Sequence, residues 1–140
     1  IEMDVKKLSL NFYQNLKKQN ITKPIILISG GETTVNIRGN GRGGRNQEFA
    51  LHFLKIMKAR LPKQKYFLLS AGTDGRDGPT DAAGAIINDQ THKILKSNSI
   101  NLEKELKNNN SYEVLKKLNS LVIINGTNTN VADVQILYVF

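Results

Sequence analysis

Four short apolar runs constrain the architecture of this chain more than any other feature. They read "PIILIS" (24–29), "KYFLLSAGT" (65–73), "LVIIN" (121–125) and "VQILYVF" (134–140). The first is bounded by Pro and Gly, as a strand buried on both faces would be, and the second reads the same way. "ETTVNIR" (32–38) is β-branched and alternating, which predicts a further strand. Segments of helical period separate these runs. Val5, Leu8, Phe12 and Leu16 predict an amphipathic helix over 3–19, ended by Thr22-Lys23-Pro24. Phe49, Phe53, Ile56 and Met57 predict a second helix over 46–61. Ser111 is the expected N-cap of a helix through Lys117. "AAGAII" (82–87) fits a helix start or a strand equally well. Alternating strands and helices predict a layered α/β fold, a mixed sheet flanked by helices. All 140 residues form a single domain in this reading, with an N-terminal helix over 1–23 and a motif-bearing core over 24–140.

Bulk properties narrow the function classes. Apolar residues make up 39% and charged residues 23%, which excludes a disordered chain, and no apolar run is long enough to cross a bilayer. The N-terminus lacks the features of a signal peptide, and it begins at Ile1 rather than Met, as a fragment or trimmed chain would. With no cysteine, disulfides, thiolate chemistry and Cys-based zinc sites are excluded, and a reducing, cytoplasmic setting is expected. The net charge of +8 favours an anionic partner. A lysine-rich solvated surface explains it as well, because Lys6, Lys7, Lys17, Lys18, Lys55, Lys58, Lys116 and Lys117 are dispersed. Aromatic residues are few and not interleaved with the basic ones, so neither nucleic acid nor membrane is expected as a partner.

Residues 39–48 read "GNGRGGRNQE" and contain Gly39-x-Gly41-x-x-Gly44, the spacing of a dinucleotide fingerprint. That fingerprint requires an acidic residue about 20 positions on to hold the ribose. None occurs between Glu48 and Asp74, and no Gly-Lys-Ser/Thr follows to make a Walker A loop. The remaining functional reading is an anion site. Gly41, Gly43 and Gly44 would let a phosphate or carboxylate approach the backbone, and the helix opening near Asn46 would present free N–H groups. Arg45 would add a planar two-pronged clamp, with Arg42 nearby. The structural alternative is a loop with solvated arginines.

"GTDGRDGPTD" (72–81) places Asp74, Asp77 and Asp81 in one glycine-punctuated turn after an apolar strand. Such carboxylates can hold Mg²⁺ or accept a proton. The structural alternative is an Asx-turn at Asp74 and a helix cap at Asp81 or Thr80. Thr73 precedes this turn, and Gly30, Gly31 and Glu32 end the first strand, so all face the same expected cleft. His52 and His92 lack ligand spacing and read as structural. "GTNTNVAD" (126–133) is a polar turn-rich segment.

Together, "SGGETTVNIRGNGRGGRNQEFAL", "LLSAGTDGRDGPTDAAGAI", "NNNSYEVLKKL" and "NGTNTNVADVQILYV" closely resemble the C-terminal domain of the type 2 glycerate kinases, the MOFRL domain. Such sequences have also been labelled hydroxypyruvate reductase. The resemblance covers roughly residues 24–140. It implies ATP- and Mg²⁺-dependent phosphorylation of glycerate to 2-phosphoglycerate in a cleft between two domains. It implies that Arg45 and the glycine loop meet substrate, that Asp74 and Asp77 line the cleft as catalytic groups or Mg²⁺ ligands, and that Thr129 and Asn130 contact ligand. The N-terminal Rossmann-like domain is missing from this sequence, so the chain is expected to be silent alone. Where the family carries a second glycine and a second asparagine in the last motif, this chain has Asn128 and Ala132. Three rivals remain: a complementing subunit, a module binding phosphorylated metabolites, and an NAD(P)H-dependent hydroxypyruvate reductase.

Overall fold

A computed structural model describes residues 3–19 and 21–140. Ile1, Glu2 and Asn20, inside the expected 1–23 segment, lie outside the described residues. The elements run β1 (Met3–Asp4), α1 (Val5–Lys18), β2 (Ile25–Gly31), β3 (Thr33–Thr34), α2 (Arg45–Arg60), β4 (Tyr66–Gly72), β5 (Gly84–Asn88), α3 (Thr91–Ser97), α4 (Leu102–Lys107), α5 (Ser111–Lys117), β6 (Leu121–Val122) and β7 (Asp133–Val139). Five strands form the main sheet in the order β2-β7-β4-β5-β6, antiparallel throughout. Among the described residues, parallel pairing is confined to the short β1–β3 pair. "AAGAII" resolves as a strand, β5.

The helices cover one face of this sheet. Tyr66, Leu68, Ile87, Leu137 and Val139 point inward with the period-two alternation of a half-covered sheet and meet Phe12, Leu16, Phe49, Phe53 and Met57. Phe49 lies edge-on to Phe12 at 5.4 Å, and Phe53 edge-on to Tyr66 at 5.5 Å. The outer face is open: Ile26 is 60% and Ile28 72% exposed, with Phe67 and Ile86 also exposed. The expectation that β2 and β4 are buried on both faces is therefore corrected, because among the described residues no helix crosses to the second side. Among the described residues, no helix is long and apolar enough to cross a membrane.

Two expected strands are shorter than their sequences imply. "ETTVNIR" contributes only Thr33–Thr34. The backbone N–H groups of Arg38 and Gly39 donate instead to the Asn109 side-chain oxygen at 2.7 and 3.1 Å, so asparagine replaces a partner strand. "LVIIN" pairs only through Leu121–Val122, and Ile123 and Ile124 are exposed beyond it. Ser111 is the first residue of α5, not its cap. Asn110 precedes it, and the Ser111 hydroxyl packs against Gly43 without a hydrogen bond.

Phe49 is fully buried between α1 and the sheet. Phe49→Ala should destabilise the fold by roughly 3–5 kcal/mol, read from urea unfolding midpoints.

Candidate functional site

The candidate site forms where three strands share one row. Gly31 of β2 and Gly72 of β4 both pair with Asp133, the first residue of β7. β7 runs against its neighbours, so it begins where they end. Adjacent strands lie about 4.8 Å apart, so Glu32 after Gly31 and Thr73-Asp74 after Gly72 leave the sheet on either side of Asp133. Gly31 has φ 142°, a conformation that favours glycine. Gly30 lies one row in, opposite Val134.

Arg45 opens α2 directly over this row. Its Nε donates to Asp133 Oδ2 at 2.7 Å and its Nη2 to Asp133 Oδ1 at 2.9 Å, a two-pronged pair. The Asp133 side chain is wholly buried and that of Arg45 is 32% exposed. The hydrogen bond from Arg45 to Asp133 holds the guanidinium above its ordinary pKa, so it remains a cation. Glu32 Oε1 lies 3.6 Å from Arg45 Nη2. A guanidinium has five N–H donors, and Asp133 takes two, which leaves donors free for an anion.

The glycine loop and the Asp77 turn meet, but not around an open anion site. Asp77 is 1% exposed and occupies the N-terminus of α2 itself. Its carboxylate accepts from the Asn46 and Gln47 backbone N–H groups at 3.1 and 2.9 Å and from Asn46 Nδ2 at 3.3 Å. The Asn46 Oδ1 in turn accepts from the Ser70 hydroxyl at 2.6 Å. Gly44 is glycine because a Cβ there would overlap the Asp77 carboxyl. Cβ atoms at Gly41 and Gly43 would overlap Asn108 and Ser111. Gly41 N donates to the Asn108 carbonyl at 2.8 Å, and Arg42 N to Asn110 Oδ1 at 3.2 Å. The expectation that Gly41, Gly43, Gly44 and Asn46 cradle an external phosphate is corrected: the close approach is by the protein's own residues. Asp77, expected as a catalytic group or Mg²⁺ ligand, is instead seen as the buried anchor of the α2 N-terminus, with both oxygens accepting N–H donors. Arg42 stacks over the Tyr112 ring at 4.4 Å and donates to the Pro79 carbonyl at 3.3 Å, which holds the loop to α5.

Asp74 is half-buried and accepts from Arg76 N at 3.0 Å, the Asx-turn geometry, with its other oxygen outside that bond. The expected cap at Asp81 is replaced by a part-buried bond from Tyr112 Oη at 2.7 Å, which holds the Asp81 carboxyl below its usual range. Among the described residues, no three His, Cys, Asp or Glu side chains gather as a metal site. Thr73 anchors the segment 126–132. Its N–H and hydroxyl donate to the Ala132 carbonyl at 3.0 and 2.7 Å, and its hydroxyl accepts from Val131 N at 2.9 Å. Thr129 and Asn130 are exposed on that segment, and Asn130 Oδ1 accepts from Ala132 N at 3.1 Å. Asn128 has φ 56° and Ala132 φ 67°. Asn tolerates that region; alanine pays for its Cβ there. His52 faces Glu48 at 3.6 Å on α2, and His92 lies on α3, both away from the row.

Sequence reasoning missed two things of weight. Asp133, the partner of Arg45, stands in the last motif but was not distinguishable there as a site residue. The Asn108-Asn109-Asn110 run supplies the side chains that hold the glycine loop, and its turn chemistry was the available signal.

Asp77→Ala should destabilise the fold by roughly 3 kcal/mol, because two buried N–H groups lose their acceptor. Burial lifts the Asp77 carboxyl above its usual pKa, against the pull of the Asn46 and Gln47 donors. The folded state therefore binds that proton more readily than the unfolded chain. The contribution of this group is fullest in acid and declines as pH rises through the raised value. Asp77→Asn should lack that component when urea midpoints of the two proteins are compared across acidic to neutral pH. Ala132→Asn should raise stability by about 1 kcal/mol by easing the positive φ, measurable as a higher Tm.

Comparisons with known proteins bear on the same residues. The model of the MOFRL family matches residues 25–133. D-glycerate 2-kinase of Thermotoga maritima is 48% identical over 120 residues, which cover 86% of this chain and 28% of that protein. Mouse glycerate kinase is 39% identical over 118 residues, 81% of this chain and 23% of that protein. The crystal structure of glycerate kinase from Thermotoga maritima superposes with a TM-score of 0.89 at 40% identity, over all of this chain and 34% of that one. The chain thus spans about a quarter of the curated relatives' length. The family match includes the glycine loop, the Asp74–Asp81 turn and Asp133, the residues that the fold brings to one end of the sheet, and this chain belongs to the MOFRL family.

Proposed function

We propose that this chain is the C-terminal domain of a glycerate 2-kinase, which transfers phosphate from ATP to glycerate and gives 2-phosphoglycerate. One observation carries the reading. Arg45 is fixed by a buried carboxylate at the shared end of three strands, with donors to spare, beside Glu32 and Thr73-Asp74. Phosphoryl transfer relies on positioning and charge neutralisation, and a rigid guanidinium provides both. Arg45 would hold the glycerate carboxylate or the transferring phosphate. Glu32 would orient the guanidinium or accept a substrate hydroxyl, and Gly30, Gly31, Thr129 and Asn130 would border the bound anion. Mg²⁺ would neutralise phosphate oxygens when bound with ATP. Asp74 and Glu32 are carboxylates at this end with an oxygen free to meet it, and neither would hold the ion alone.

The site is open, so the chain by itself neither encloses the reaction nor excludes water. An N-terminal Rossmann-like domain, in the same polypeptide or as a complementing subunit, would close the cleft. The exposed apolar residues Ile26, Ile28, Phe67 and Ile86 suit a chain that packs against a further domain. A cysteine-free composition and use of ATP suit a cytoplasmic enzyme. A stand-alone module for phosphorylated metabolites is the second reading, supported by the same preformed Arg45. The reductase reading is weaker, because Asp77 occupies the helix N-terminus where a pyrophosphate would lie.

In a coupled assay with ATP, Mg²⁺ and glycerate, the 140-residue chain should show no turnover. In calorimetry it should bind 2-phosphoglycerate, and Arg45→Lys should weaken that binding about tenfold, because a lysine keeps the charge but loses the fork. Equal affinity of wild type and Arg45→Lys would refute the role given to Arg45. Binding of NADH would favour the reductase instead.

A further inference from the structure

A cavity of about 300 Å³ lies between α1 and β2, and its rim includes Gly30 and Gly31. The apolar part comes from Leu8 and Phe12 of α1 and Leu27 of β2. Two further lining residues carry buried polar atoms without a partner. Gln135 is 2% exposed and its Nε2 has none; Thr33 is 6% exposed and its Oγ1 has none. An amide nitrogen and a hydroxyl left unpaired in a protein interior are each unfavourable by about 1–3 kcal/mol, so the pair calls for an explanation. Among the described residues, no Lys, Arg, His, Asp or Glu lines the cavity.

That lining selects the ligand by its chemistry. A carboxylate or phosphate would lack a counter-charge inside, which excludes glycerate and its phosphorylated product. A planar heterocycle with hydrogen-bonding edges meets the requirement: its faces lie against Leu8, Phe12 and Leu27, and its edge atoms pair with Gln135 and Thr33. Of the two substrates in the reading above, only the nucleotide has such an uncharged part. The cavity is also joined to the site. Glu32, between Gly31 and Thr33, lies 3.6 Å from Arg45, so a charged tail leaving the rim would run towards the guanidinium. We infer that the cavity between α1 and β2 receives the purine base of the nucleotide substrate, with Gln135 and Thr33 reading its edge. This inference rests on the kinase reading and adds to it where the nucleotide binds and which residues recognise it.

Adenosine is the probe, because it has the base without the phosphates. Added to the ¹⁵N-labelled chain at millimolar concentration, it should shift the Gln135 side-chain amide and the Gly30 and Gly31 backbone signals. Gln135→Leu and Thr33→Val should each weaken adenosine binding about threefold to tenfold, the worth of one hydrogen bond. Both variants should keep or raise Tm, since each replaces an unpaired buried polar group by an apolar one, so loss of binding cannot be ascribed to unfolding. Arg45→Lys should leave adenosine binding intact. Absence of adenosine shifts in the wild-type chain, or equal affinity in Gln135→Leu, would overturn the inference. In either case retained, Arg45-dependent binding of 2-phosphoglycerate would leave the kinase reading standing. Loss of Arg45-dependence with adenosine binding intact would instead break that reading while the base site survived.

Discussion

The Asp77 carboxylate at the N-terminus of α2 is the contact on which the rest of the site depends. A buried carboxylate is tolerated only with several hydrogen bonds, and three N–H groups from Asn46 and Gln47 supply them. The helix gains the acceptor that its N-cap, Gly44, lacks as a side chain. One contact therefore joins two loops 30 residues apart in sequence and fixes where α2 begins. Gly44 and Gly78 let the two backbones meet, because a Cβ on either would strike the facing loop.

Arg45 inherits its position from that anchor. It is the first residue of α2, adjacent to Asn46, so its backbone cannot move unless Asp77 lets go. Asp133 then fixes the other end of the side chain from the first position of β7. A long side chain held at both ends loses its rotamer freedom during folding rather than during ligand binding, which is how preorganised charge acts. Polarity in this part of the interior follows the same logic: Ser70, Asn46, Gln47 and Thr80 link through Asp77 into one connected set.

How much of this was legible in the sequence depends on the range of the interaction. Apolar period placed α1, α2, β2, β4 and β7, because burial on one face repeats locally. It did not show that the sheet is covered on one side only. An apolar run looks the same whether its second face is covered or open, as the exposed Ile26 and Ile28 illustrate. Glycine density announced a close approach of two backbones but not its partner. Phosphate and Asp77 are both anions at a helix N-terminus, and only the pairing of residues 46 and 77 separates them. Asp133 was visible as part of a motif, while its bond to Arg45 spans 88 positions and leaves no local pattern.

The division of labour between the two aspartates in the same turn follows from depth. Asp77 sits beneath the glycine loop, where every oxygen has a donor and solvent is excluded. Asp74, three residues earlier, follows β4 at the rim, where its carboxylate accepts from Arg76 N and shapes the turn. Within one motif the two aspartates therefore differ in depth: buried Asp77 ties the turn to α2, and half-buried Asp74 shapes its rim. The same separation holds for the arginines, with Arg42 fixed on Tyr112 as part of the scaffold and Arg45 set at the open end of the sheet. Residue types that look interchangeable in the motif thus differ in how completely the fold satisfies their hydrogen bonds.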